Sequence, residues 1–149
     1  MSKLMSCMSV LIVALGAVTV PQQAVARSTP ARLGASAFFR DGSCWDPWGA
    51  QMTNKNCTSR YWTVPLLIDG PVTGTVTVAA LAPDVSHNVS CRAESTDRNN
   101  NDVFVSEWVA LSQFSAPHDI VLPVSIPAGG MVIIDCLVAQ TATVISVNW

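Results

Sequence analysis

Charged side chains are scarce in this 149-residue sequence: only 12% of its residues are Asp, Glu, Lys or Arg. Eight Lys and Arg stand against ten Asp and Glu, for a net charge of -2, which excludes a strongly basic nucleic-acid binder and a phosphate-gripping surface. Histidine is limited to His87 and His118, and neither stands in a nucleophile or metal motif such as G-x-S-x-G or H-E-x-x-H. Past the N-terminal segment no run carries apolar residues at i, i+3, i+4 and i+7, so helices drop out of the reading. What is abundant is apolar: half of the residues are hydrophobic and mean hydropathy is +0.38, a balance that argues against disorder. The length allows one domain of ordinary size.

Residues 1–26 read as a signal peptide. Lys3 precedes an apolar run from Val10 to Val20, too short to span a bilayer, and Ala24-Val25-Ala26 supplies the small-x-small pattern before a cleavage point. Leu4-Met5-Ser6-Cys7 imitates a lipobox, but Cys7 precedes the apolar run instead of ending it and is expected to leave with the signal. The mature chain is then secreted or periplasmic, with no membrane attachment after cleavage. Residues 27–37, rich in Ser, Thr, Pro and Ala, are expected to form a flexible tail ahead of a domain over 38–149.

Without Cys7 four cysteines remain: Cys44, Cys57, Cys91 and Cys136. An even number in an exported chain reads as two disulfides. Three connectivities exist, and sequence proximity with strand facing favours Cys44 with Cys57 and Cys91 with Cys136. A period of two places Cys91 on the face of Val85, His87 and Val89, and Cys136 on that of Val132, Ile134 and Val138, so both sulfurs point into an apolar layer. No pair has the spacing of a zinc site.

Alternation recurs along the mature chain: Tyr61 to Asp69, Val72 to Ala82, Val85 to Ala93, Val103 to Leu111, Ile120 to Ile126, Met131 to Val138 and Thr141 to Trp149. In the second, Val72, Val76 and Val78 share one face and the threonines the other. In the fourth, Val103, Val105, Val109 and Leu111 oppose Phe104 and Trp108. About seven short strands parted by Pro and Gly turns predict an all-β, single antiparallel sandwich.

Gly42-Ser43-Cys44, a second cysteine just ahead of the first strand, Asn88-Val89-Ser90-Cys91, and a late Cys136-Leu137 before a closing strand resemble small secreted bacterial proteins of uncharacterised function. The resemblance covers most of residues 38–149, although Thr58 follows Cys57 where that group often has Pro. It implies a disulfide-stapled β-sandwich and carries over no catalytic residue.

Function is therefore expected from binding or structure, without catalysis, cofactor or metal. Trp45 and Trp48 sit inside the Cys44 to Cys57 loop, with Trp62 soon after. Such rings suit stacking on sugars or gripping a protein, so a carbohydrate-binding module using Trp45, Trp48 and Trp62 is the alternative reading, with an extracellular glycan or protein as ligand. The competing expectation is that these rings plug the end of the sandwich. A small secreted hydrolase using His118 is the third class, though adjacent strand residues face opposite ways, so Asp119 is poorly placed to orient that ring. Asp97 to Asp102 alternates oxygen side chains as a Ca²⁺ loop does, but Asp102 replaces the sixth-position glycine and Trp108 occupies the twelfth position, leaving an ordinary polar loop.

Overall fold

The computed structural model describes residues 27–68 and 71–149; the expected signal peptide lies outside them. Among the described residues are twelve strands: β1 (Ser28–Pro30), β2 (Ala35–Ser36), β3 (Trp45–Trp48), β4 (Gln51–Asn54), β5 (Arg60–Leu66), β6 (Val72–Leu81), β7 (Val89–Thr96), β8 (Asp102–Val105), β9 (Val109–Ala110), β10 (His118–Ile126), β11 (Met131–Val138) and β12 (Thr143–Asn148). They form two antiparallel sheets. Sheet A runs β10-β6-β12-β4-β3, with β1 also on β12; sheet B runs β2-β5-β11-β7-β8, with β9 also on β7.

Alternation explains which faces meet. On β10, Ile120, Leu122, Val124 and Ile126 are buried while Asp119, Val121 and Pro123 are exposed. Among the described residues that strand pairs only with β6, and a proline is tolerated on such an edge because no second neighbour needs its missing N–H. Val76 and Val78 on β6, Val64 and Leu66 on β5, and Val132 and Ile134 on β11 close the core from both sides, each burial stabilising by about 1.5 to 3 kcal/mol. Cys91 and Cys136 face each other across β7 and β11 at the centre of sheet B and are bonded, as are Cys44 and Cys57.

The sandwich class is as expected, but the strand count is a correction. Twelve strands replace about seven because the N-terminal segment and the first cysteine loop add four short ones, and the stretch from Val103 to Leu111 divides into β8 and β9. The break comes at Ser106, which turns inward: its Oγ accepts from Ala93 N at 2.9 Å and donates to Glu107 O at 3.0 Å. Val103 and Val105 consequently face solvent. Val72 is also exposed at the start of its strand, apart from the buried Val76 and Val78. Val85 to His87 form a 3-10 turn instead of strand, capped by the Asp84 carboxylate, which accepts from the Ser86 and His87 backbone N–H groups.

Residues 27–37 are likewise not a loose tail. β1 pairs with β12 and β2 with β5, and Arg27 and Trp149 exchange backbone hydrogen bonds of 2.7 and 2.9 Å. The small side chains that read as flexible are what permit this close approach. Ala31 is fully buried, and a Cβ on Gly34 would overlap the Thr63 carbonyl. This strap bridges the two sheets on one side of the sandwich and sits against Trp62.

Candidate functional site

The three tryptophans expected as ligand platforms divide between core and surface. Trp62 is 6% exposed and Trp45 is 9% exposed. Their ring centroids lie 4.7 Å apart, and Trp62 Nε1 donates to Ala31 O at 2.8 Å. Both rings therefore pack between the sheets and offer no face to a ligand, which corrects that part of the expectation. The cause is strand phase: Trp45 pairs with the buried Asn54 at the inward register, while Trp48 pairs with Gln51 at the outward one. Trp48 is 76% exposed at the tip of the β3–β4 hairpin, beside Ile145 on the outer side of sheet A. Gly49, at φ +60°, makes the reversal that puts it there.

The histidines do not assemble a nucleophile. His118 and Asp119 sit at the start of β10 on opposite faces of the strand. At the other histidine, the Asp84 carboxylate and Ser86 Oγ both approach the same nitrogen, His87 Nδ1, at 3.0 and 3.1 Å. Proton relay from a serine needs the two partners on different ring nitrogens. Hydrogen bonds from Ser86 Oγ and then His87 pull the Asp84 carboxyl down to about 2, as befits an ionised turn cap. Asp97 is spent in the same manner, accepting from the Asn99 and Asn101 backbone and from Asn101 Nδ2. Its carboxyl is held below the usual range by Asn101 above all. Among the described residues no three His, Cys, Asp or Glu converge on a point.

A different set of residues does converge, on the outer face of sheet B. The order β5-β11-β7 places Thr63, Asp135 and Arg92 in one cross-strand row, and Tyr61, Leu137 and Ser90 in the next outward row. Thr63 Oγ1 donates to Asp135 Oδ1 at 2.8 Å. Arg92 reaches Glu94 at 3.2 Å and Asp135 at 3.6 Å, and its guanidinium lies 5.0 Å from the centre of the Trp108 ring. Trp108 leaves the β8–β9 connection to lean over this row, bringing its ring to 6.0 Å from Tyr61 with a tilt of 46°. Tyr61 is 37% exposed and Trp108 is 40% exposed, so each keeps a face towards solvent.

The carboxylates fix the Trp108 ring through the arginine. A guanidinium held by two acids has little rotational freedom, and its cation–π contact orients the indole above it. Burial pushes the Glu94 carboxyl above its ordinary range, with Asp102 adding to the effect and Arg92 opposing it. Beyond Tyr61 the face continues into a cavity of about 590 Å3 beside the Cys44–Cys57 disulfide, lined by Phe38, Arg40, Asp41, Arg60 and Tyr61 among others. Two semi-exposed rings, fixed charges and an adjoining recess can stack on a flat apolar surface and hydrogen-bond its polar rim.

Tyr61 and Trp108 were not among the expected site residues. Outward phase on β5 marks Tyr61 by period two, but Trp108 is far away in the sequence, and alternation there places it only opposite the valines, beside Phe104.

No family model matches the sequence, and no curated protein matches it. The fold is similar to several solved structures. One is a carbohydrate-binding module from Cellvibrio mixtus lichenase 5A in complex with cellotriose, with a TM-score of 0.51 and 9% identity, covering 82% of this chain and 94% of that one. Another is the C-terminal module of a marine laminarinase from Zobellia galactanivorans, with a TM-score of 0.51 and 7% identity, covering 83% and 98%. A β-(1,4)-mannanase from Podospora anserina carries a similar domain, at a TM-score of 0.51 and 12% identity, where 83% of this chain corresponds to 27% of that enzyme. At such identities the likeness is one of β-sandwich architecture.

Proposed function

We propose that this chain is an exported, non-catalytic glycan-binding module whose binding face is the outer surface of sheet B. The observation that carries the reading is the Tyr61 and Trp108 ring pair, 6.0 Å apart and facing solvent, with Arg92, Asp135 and Thr63 beside it. A pyranose ring presents axial C–H groups on its faces and hydroxyls on its rim. Aromatic faces receive the first and fixed charged groups the second. The architectural likeness to carbohydrate-binding modules supports the same class of ligand, and the two disulfides suit an oxidising, extracytoplasmic compartment.

The alternative expectation named the correct ligand class for this reading but different residues. Trp48, on the other sheet, serves here as the control. Binding of the chain from Arg27 onward to a glycan array should identify oligosaccharide ligands, and titration calorimetry should then rank variants. Trp108→Ala and Tyr61→Ala are each expected to weaken binding by about tenfold or more, which corresponds to about 1.4 kcal/mol. Trp48→Ala should leave the affinity unchanged. An array without any bound glycan would overturn the proposal, and loss of binding on Trp48→Ala alone would move the site to the hairpin.

A further inference from the structure

We infer that the glycan is anionic, and that the recess beside the Cys44–Cys57 disulfide receives a carboxylate or sulfate group from a sugar unit next to the one stacked on Tyr61. This rests on the glycan-binding reading and narrows it to a substrate class. Tyr61 belongs both to the ring pair and to the wall of the recess, so a chain lying over Trp108 and Tyr61 continues into it.

The charges at the two ends of this face differ. At the Trp108 end, Arg92 stands between Glu94 and Asp135, and two carboxylates answer its one positive charge. At the disulfide end the balance is reversed, with Arg40 and Arg60 against the single acid Asp41. Asp41 is 6% exposed, and its Oδ1 lies 3.3 Å from Arg60 Nε, so its charge is already engaged. Arg60 is held further by Nη1, which donates to Thr58 Oγ1 at 2.9 Å and to Ser59 O at 3.0 Å. Arg40 has no ion pair among the described residues and lies 5.7 Å over the Phe38 ring.

The recess therefore contains one arginine locked by its neighbours and one whose charge is uncompensated. A planar guanidinium presents paired N–H donors that match the two oxygens of a carboxylate or of a sulfate ester. With about 590 Å3 available, the space admits a pyranose unit bearing such a group, and the ring of Phe38 supplies an apolar wall. A neutral sugar would leave the Arg40 charge unanswered, whereas an acidic one pairs with it. The polar lining thus sets specificity, and the Tyr61 and Trp108 rings give contact common to all sugars.

Calorimetry with three oligosaccharides of equal length tests this: a uronic-acid oligomer, a sulfated galactan oligomer and a neutral β-glucan oligomer, each at low and high salt. The wild-type chain is expected to bind one or both acidic oligomers about tenfold more tightly than the neutral one, with the advantage shrinking at high salt as the pair is screened. Tighter binding in the uronate arm identifies the group as a carboxylate, and in the sulfated arm as a sulfate ester. Arg40→Gln should abolish the preference while retaining the neutral affinity and the urea midpoint, since Arg40 is exposed and unpaired; Arg40→Lys should restore it in part. Equal binding of all three oligomers would overturn the inference and leave the glycan reading intact. Tight binding of the neutral oligomer alone would do the same. Binding of none would overturn both.

Discussion

Urea denaturation of a Trp62→Ala variant is expected to show a loss of about 3 to 5 kcal/mol, the range for truncating a buried aromatic side chain. Trp62 is 6% exposed, packs its ring on Trp45 and donates Nε1 to Ala31 O. Its removal opens a cavity between the sheets. It also takes away an anchor for the strap formed by residues 28–36, since the buried Ala31 carbonyl would lose the indole donor and keep only the Gly34 N–H. The same substitution at Trp48 should move stability by less than about 0.5 kcal/mol, as surface changes do. Equal losses at the two positions would contradict the assignment of one ring to the core and the other to solvent.

Replacing Cys91 and Cys136 together by Ala should cost more than replacing Cys44 and Cys57 together. The first pair spans 45 residues and the second 13. Loop-closure entropy alone assigns about 4 and about 3 kcal/mol to them. Burial widens the gap. Cys91 and Cys136 are both fully enclosed between β7 and β11 at the middle of sheet B, so truncation there also removes packed sulfur, whereas Cys57 lies half-buried at the mouth of the recess. Paired variants compared by urea midpoint provide the measurement, and an equal or reversed order would contradict the larger contribution assigned to the longer, fully buried crosslink in sheet B.

The parts of this fold that can be read from sequence are those where one face is wholly buried and the other wet. Met131 to Val138 is a strand over the expected residues, and its phase places Cys136 inward, from which the pairing with Cys91 follows. The phase of β10 is equally clear, with four aliphatic residues inward and Asp119, Val121 and Pro123 outward. Sequence reading fails where a local interaction competes with alternation. Asp84 captures two backbone N–H groups and turns Val85 to His87 out of the strand; Ser106 satisfies the backbone of Ala93 and splits β8 from β9. The hairpin of β3 and β4 escapes because its strands are only four residues long and one contains Pro47.

The proposed binding face is illegible for a different reason. Tyr61, Arg92, Trp108 and Asp135 are scattered along the chain and become neighbours only because β11 lies between β5 and β7. Periodicity reports which way a side chain points and is silent on which strand lies beside it. Three tryptophans close together in sequence attract attention for that closeness, yet two of them face inward. The rings that do share a solvent-facing surface are linked through the order of the sheet and through an arginine clamped by Glu94 and Asp135.

The most direct test of that surface follows the indole N–H signals of the five tryptophans in a nitrogen-labelled chain from Arg27 onward, as the tightest oligosaccharide found by array is added. The account predicts that the Trp108 indole signal and the backbone signals of Tyr61, Arg92 and Asp135 shift in a saturable manner, while the indole signals of Trp48 and Trp62 stay in place. Saturable movement of Trp48 with Trp108 unmoved would contradict it and transfer the site to the hairpin on the opposite sheet.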